Sequence, residues 1–437
     1  KISSLNECGQ GELIIPYGTT VINPYLYDHC SEYVGQLNIS DTVTMICASA
    51  FHSCYKLTGP LIIPDSVQII EEYAFANCYF DGVLQLSNSL SSIERYAFSN
   101  NHYLNGTLTI PKSVTVIKEY AFFGCSKFSG LLNISDSITE IGRSAFRACE
   151  SLETLIISSS ITEISTELFS ECHGFTGTLI IPDSVKKIDS LAFFQCYGFT
   201  GNLSIPDSVK RIDSFAFYQC YGFTGNLKIP NSITKIDDYT FVDCSGFTGS
   251  LIIPNSVTEI GENAFNRCAG FNGKLILSIS LIIIGKDAFN SCAGFKGELI
   301  LPTSLTTIGY DAFKNCSGFI GSLTIHDSVK DIGYSAFANC AGFDGTLYIS
   351  KSLELISDSL FYGCSGLTGS LKIPDSVTKI EKYAFYQCFG FKENLILSNK
   401  INTIDEYTFA QCRRFTGSLT IPNNVIIIKK YAFFNCA

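Results

Sequence analysis

The chain has 437 residues, and 40 acidic against 30 basic side chains give it a formal charge of −10; it offers no basic field for a nucleic acid backbone or an anionic membrane. Apolar residues make up 46% of it, yet no uninterrupted apolar run reaches the roughly 18 residues of a bilayer span, so no membrane span is expected. Nineteen cysteines fall short of the density that marks a small disulfide scaffold, and their spacing matters more than their number.

The opening stretch KISSLNECGQGEL lacks the basic start, apolar centre and small-residue cleavage site of a secretory signal. Residues 1–30 read as a divergent first repeat or possible cap, and 31–437 as regular repeats of one array. A strand-like L-x-I motif recurs eighteen times, its leading leucine stepping from Leu13, Leu37 and Leu61 to Leu395 and Leu419. From Cys172 to Cys436 a cysteine returns every 24 residues. Self-similarity at such a period is the mark of a solenoid, in which each coil is too thin to bury its apolar side alone and stacking is obligatory.

The working consensus is C-x-G-F-x-G-x-L-x-I-P-x-S-V-x-x-I-x-x-x-A-F-x-x. In GSLIIP (249–254), Leu251 and Ile253 alternate inward while Ser250 and Ile252 point out, which predicts one short strand per repeat. Pro254 closes that strand, Asn255 and Ser256 supply turn chemistry, and Gly249 is expected in a conformation a Cβ would resist. Val257, Ile260, Ala264 and Phe265 continue the inward set, with room for bends and one helical turn behind the strand.

The motif IPxSVxxIxxxAFxxC, repeated along the whole chain, resembles the BspA-like, or Treponema pallidum type, leucine-rich repeat, and the GFTG segment is most similar to protozoan members of that family. The resemblance implies a right-handed leucine-rich-repeat solenoid of about 18 repeats of 24 residues. A parallel sheet would line its concave face, with irregular or short helical segments on the convex side. It also implies a non-catalytic adhesin ectodomain, at the cell surface or secreted, that binds a host matrix or cell-surface protein or a glycan. A fibronectin-like protein is one such partner, homophilic contacts are another, and the alternative is a self-associating surface protein or an intracellular scaffold.

The cysteine file reads as a small buried group with weak hydrogen-bonding capacity. Asn101 stands where the other copies from Cys30 onward carry cysteine, and an obligatory bridge partner would not read Asn. A disulfide role fits best at Cys47, which is off the file, or at Cys8. No C-x-x-C pair occurs, and the spacing matches no zinc pattern. The five histidines are scattered. His29 and His52 fall on neighbouring coils beside Asp28 and read as a surface pair or a weak metal cluster, and no metal or other cofactor is expected. The Asp and Asn of the PDS and PNS turns alternate too freely for a calcium file, and no phosphate loop, catalytic constellation or enzymatic activity is expected.

Outward positions remain for binding. The copy from Leu275 reads LILSISLIIIG where its neighbour reads LIIPNSVTEIG, putting Ile279, Ile282 and Ile283 where Asn, Thr and Glu stand. With Ile252, Ile276 and Ile300 on adjoining strands, this predicts an exposed apolar patch of the kind that marks an interaction site. Drift within the array is the alternative reading. Lys274, Glu298 and Tyr348 complete the candidate surface. Tyr73, Tyr96 and Tyr120, and again Tyr383, Tyr407 and Tyr431, form outward files read as stiffening stacks or as recognition ladders. The last copy, ending AFFNCA, reads as uncapped, and five sequons, at Asn38, Asn105, Asn133, Asn202 and Asn315, are compatible with a cell surface.

Overall fold

A computed structural model describes residues 11–30 and 32–436. It is a parallel-strand solenoid of the leucine-rich-repeat kind, and most coils carry two short strand positions instead of the single one expected. The first holds the L-x pair, as in Leu251–Ile252 paired with Leu275–Ile276. The second lies eight residues on, where eighteen two-residue strands run from Val21–Ile22 to Ile427–Ile428. Every strand pair is parallel, and outside the slightly longer strands at Gly11–Ile14 and Gly130–Asn133 the pairing keeps register without a bulge. The inward isoleucine of one coil therefore meets that of the next: Ile236, Ile260, Ile284, Ile308 and Ile332 form one such file.

The expected helical turn is absent: the described residues contain no helix. The reason lies in where the backbone N–H groups go. Across Tyr73–Asn77 they alternate, with Tyr73, Phe75 and Asn77 donating to carbonyls of Arg95, Ala97 and Ser99 in the next coil. Ala74 and Ala76 donate to Glu71 and Tyr73, three residues back. Half of the donors that a helix would need are thus committed to the neighbouring coil. The alternation requires two left-handed residues per coil, one before the A-F pair and one before the cysteine, such as Tyr73 (φ 58°) and Asn77 (φ 58°) or Asn263 (φ 55°) and Arg267 (φ 62°).

The contacts divide the chain into two compact units, one running through Gly201 with Ser208–Ile212 and Ala216–Gly222, the other holding Asn202–Asp207, Asp213–Phe215 and everything from Phe223 onward. Each has its own column of stacked phenylalanines. In the first, Phe51, Phe75, Phe98 and Phe122 stack at centroid distances of 5.1, 5.6 and 5.5 Å with interplanar angles of 6° or less. In the second, Phe265, Phe289, Phe313 and Phe337 stack at 5.4, 5.3 and 5.4 Å. Their rings are fully buried. A second file from the G-F positions, such as Phe271 and Phe295 at 5.3 Å, meets the first edge-on, as Phe289 does Phe295 at 71°. Offset and edge-to-face rings contribute about 0.5–1.5 kcal/mol each beyond area burial.

Two glycines show what the stacking demands. Gly249 has φ +74°, as its place before the strand suggested. Gly270, in the G-F pair, has ordinary φ, but a Cβ there would lie 2.1 Å from the Ser245 carbonyl oxygen and 2.6 Å from that of Phe247. Glycine at that position is needed for close approach of backbone to backbone.

Two substitutions separate these effects. Ala148 sits in the left-handed region (φ 58°) with its N–H bonded to Ser170. Ala148→Gly removes a strain of about 1–2 kcal/mol against an added unfolded-state entropy of about 0.4–1 kcal/mol. It should raise the unfolding free energy measured in denaturant by about 0.5–1 kcal/mol. Gly270→Ala should lower it by about 1–3 kcal/mol or more through overpacking.

Candidate binding surface

The cysteine file is built from the turn that ends each coil. Cys268 Sγ lies 3.0 Å from the Phe241 carbonyl oxygen and Cys292 Sγ 3.0 Å from that of Phe265, and the same link, over 27 residues or, at Cys172, 26, recurs between Cys54 and Cys436. The thiol donates to a carbonyl that already closes the turn of the preceding coil, as Phe241 does by accepting the Cys244 N–H at 3.2 Å, and so takes up the second acceptor position of that oxygen. Asn101 takes over the role: its Nδ2 donates to Phe75 at 2.7 Å and to Phe98 at 2.8 Å. What the position requires is a small donor, which both thiol and amide supply.

Seventeen described cysteines are outside any disulfide, and all but Cys436 are buried. Cys47, the expected bridge candidate, is among them: buried beside Glu71, it has its thiol pushed up by desolvation first and the carboxylate second. Cys30, the first of the file, is disulfide-bonded, and this corrects the reading of the file as thiols throughout. Cys8 lies outside the described residues. Burial pushes the Cys125, Cys316 and Cys364 thiols up to about 12. They stay protonated and are unsuited to act as nucleophiles or soft metal ligands.

The turn carboxylates also acquire a role. Asp207 Oδ1 accepts the Asn231 N–H at 2.8 Å, Asp327 Oδ1 the Lys351 N–H at 2.8 Å, and Asn255 Oδ1 the Ile279 N–H at 3.2 Å. The position needs one side-chain oxygen aimed at the next coil, which explains why Asp and Asn interchange there.

The predicted binding residues all lie on the outside of the second unit. Ile252, Ile276 and Ile300 are 55%, 45% and 69% exposed on the outward side of the first strand position, and Ile252 pairs in register with Ile276. Ile279, 70% exposed, occupies the turn that follows. Ile282, just before the second strand position, and Ile283, on it, are both exposed, and Ile283 pairs with Glu259 on one side and Thr307 on the other. Lys274 and Glu298 are exposed beside the first strand position. Glu298 and Ile300 share a shallow hollow of about 280 Å³ with Ser322, Thr324 and His326. Tyr348 stands apart: it pairs with Thr324, and its hydroxyl donates to Asp327 at 3.2 Å, so the register does not bring it to the isoleucines.

Outward isoleucines occur elsewhere on the same strand position, but polar residues flank them: Ile14 pairs with Asn38, Ile62 with Gln85 and Ile396 with Lys372. The Leu275 copy differs by carrying apolar residues through strand, turn and second strand together.

The tyrosine files are stacked ring on ring. Tyr73, Tyr96 and Tyr120 lie 4.6 Å apart at 8° and 2°, and Tyr383 and Tyr407 lie 5.0 Å apart at 9°. The ring faces are used against each other, which favours the stiffening role. A groove of about 940 Å³ that sequence reasoning missed runs along the second unit, lined by Gly309, Tyr310, Gly333, Tyr334, Leu355 and Asp358 among others. Its signal was available: glycine follows the second-strand isoleucine in four consecutive copies, at 261, 285, 309 and 333, and elsewhere only at 142, the other copies carrying Asp, Glu, Lys, Ser, Asn or Cys.

The sequence profile described as "BspA type Leucine rich repeat region (6 copies)" matches residues 3–129, 91–224, 175–292, 221–344 and 345–437. Among solved structures, a leucine-rich repeat protein from Bacteroides ovatus is similar at 24% identity and a TM-score of 0.54, covering 88% of this chain and 86% of its own. A leucine rich cell surface protein from Faecalibacterium prausnitzii is similar at 24% identity and a TM-score of 0.36, covering 83% and 88%. The Treponema pallidum leucine rich repeat protein is 21% identical, with a TM-score of 0.29, over 48% of this chain and 76% of its own. No match is found among curated proteins.

The thiol file makes a pH prediction. The folded-state values of Cys125, Cys316 and Cys364 lie above an ordinary value of 9.0, so the unfolded chain loses these protons first as pH rises. Their contribution is complete below pH 9 and falls between about pH 9 and 12, by about 1.4 kcal/mol per pH unit for each thiol. Chemical unfolding followed by circular dichroism should show the midpoint falling steeply above pH 9. A thiol reagent at pH 8 should label the buried cysteines in denaturant and not in the native protein.

Proposed function

The chain belongs to the BspA-type leucine-rich repeat family, and from that premise we propose that it is a non-catalytic adhesive ectodomain, displayed at the cell surface or secreted. Its ligand is a host extracellular matrix or cell-surface protein or glycan. The observation that carries the proposal is the run of exposed isoleucines, Ile252, Ile276, Ile279, Ile282, Ile283 and Ile300, gathered on consecutive coils of one unit. Contiguous exposed apolar surface with a polar rim is what association sites have in common. Lys274 and Glu298 supply the rim and Tyr348 an outlying contact. Branched aliphatic side chains bury against apolar protein surface more readily than against a sugar, so a matrix protein, such as one of the fibronectin type, is the favoured ligand class. The sequon asparagines at 38, 105, 133 and 202 are exposed, as glycosylation at a cell surface requires.

The same patch supports a second reading, self-association of one array with another through the isoleucines.

Binding of the purified chain to immobilised fibronectin-type matrix proteins should saturate. Ile279→Asp with Ile282→Asp should weaken it by about 2 kcal/mol or more, roughly 30-fold, while the melting temperature holds, because both side chains face solvent. Retained binding by the variant would move the site away from the patch. Absence of binding by the parent, with sedimentation that depends on concentration and ceases to do so in the variant, would favour self-association.

A further inference from the structure

The first two coils of the first unit bring together three side chains that the repeat consensus does not call for. Asp28 Oδ1 lies 2.7 Å from His29 Nδ1 and 2.8 Å from His52 Nδ1. One ligand-type atom from each residue lies within 4.8 Å of the other two, and the imidazole centroids are 5.2 Å apart. We propose that Asp28, His29 and His52 form a binding site for a divalent transition-metal ion of the zinc class, with the two Nδ1 atoms and one Asp28 oxygen as its protein ligands.

The backbone supports the grouping. The His29 N–H donates to the His52 carbonyl at 2.8 Å, and the His52 N–H donates to Ser49 at 3.2 Å, so both histidines sit on paired turns of adjacent coils. Ligands on a rigid scaffold lose less entropy on binding. His52 is also held from its far side, where Nε2 lies 3.0 Å from Asn77 Nδ2 and its ring meets Tyr73 edge-on. A ligating histidine carries its proton on the nitrogen away from the metal and gives it to a hydrogen-bond partner. With a metal on Nδ1, His52 would donate from Nε2, and Asn77, whose Oδ1 accepts from Asn100 Nδ2 at 2.9 Å, would turn its amide together with that of Asn100 to receive it.

The chemistry of the set selects the ion. Two neutral imidazoles and one carboxylate suit zinc and its borderline neighbours, whereas calcium and magnesium prefer all-oxygen sets. Bond lengths of about 2.0–2.2 Å put tetrahedral ligand atoms about 3.3 Å apart, so each of the two Asp28–imidazole distances needs to open by only about 0.5–0.6 Å. In the metal-free protein the two N–H groups converge on one carboxylate oxygen and the metal replaces that convergence. Asp28 and His52 are partly shielded, with side-chain exposures of 25% and 23%, whereas His29 is 64% exposed. The fourth position therefore opens on the solvent side, available to water. The bound ion would link the first coil to the second and add to stability in proportion to the logarithm of its concentration.

The test uses the full chain, tag-free and stripped with chelator. Titration calorimetry with Zn²⁺ alone should give one saturable site per chain and a rise in melting temperature. Co²⁺ should give visible bands without the near-ultraviolet thiolate charge-transfer that cysteine ligation would add. His52→Gln keeps an amide donor toward Asp28 and removes the imidazole, so it should leave metal-free melting nearly unchanged and weaken Zn²⁺ by about tenfold or more. Should His52→Gln fail to fold, His29→Gln, at the more exposed position, carries the same expectation. No saturable site in the parent, equal Zn²⁺ binding by parent and both variants, or a thiolate band with Co²⁺ would overturn the proposal.

Discussion

The constraint on which the structure depends is that each coil must satisfy the backbone of its neighbour as well as its own. Around Phe75 alternate N–H groups leave the coil for carbonyls 22 residues on, and the groups between them close turns within it. Once the chain is committed to that alternation, a helix is excluded, strands shrink to two residues, and two residues per coil are forced into the left-handed region. Side-chain roles follow from what the backbone leaves over. The carbonyl of Phe98 is met by the Cys125 thiol, and the space beside the Phe247 carbonyl is left open by Gly270. Neither residue is chosen for reactivity.

Strain and stacking are coupled in this arrangement. A tyrosine in the left-handed region costs about 1–2 kcal/mol, and Tyr96 (φ 54°) occupies it between Tyr73 and Tyr120, 4.6 Å from each. Stacked aromatics return about 0.5–1.5 kcal/mol per contact, so two neighbours offset what one alone would not. The files are therefore cooperative along the stack, and this fits tyrosine appearing at that position in adjacent copies more than at isolated ones. A ring whose two faces are already covered by neighbours has only its edge and hydroxyl to offer a ligand.

The inward half of the molecule was legible in the sequence because burial and period act together. Leu251, Ile253, Val257, Ile260, Ala264 and Phe265 are all buried as the pattern required, and the 24-residue recurrence set the register. The second strand position was not legible: Glu259–Ile260 carries one apolar residue, and two residues cannot display an alternation. The missing helix was also hidden, since Ala and Phe are compatible with a helix, and the deciding fact is where their N–H groups point. Asn and Gly before the cysteine, at Asn77, Gly124 and Asn315, were the available sign of left-handed backbone. The outward isoleucines were placed correctly as exposed residues because exposure follows from the strand alternation. That Tyr348 falls away from them depends on counting coils, three strands from Leu275, and not on residue type.

Because every coil spends the same inward residues on the same tasks, differences between coils carry whatever is particular to this chain. The substitutions that break the repeat fall in a few places: the isoleucines from Ile276 to Ile283, the glycines at 261, 285, 309 and 333, and the acid and imidazoles at Asp28, His29 and His52. None of them improves the column. Ile279 at 70% exposure buries little of its own surface, and an Asp28 oxygen shared between two imidazoles does nothing for the packing of the phenylalanine file. Residues that contribute little to the core, and stand where the consensus asks for something else, are the ones whose presence a contact beyond the core would explain. In a solenoid the core residues show how the array stands, and the departures from the repeat mark where it meets something else.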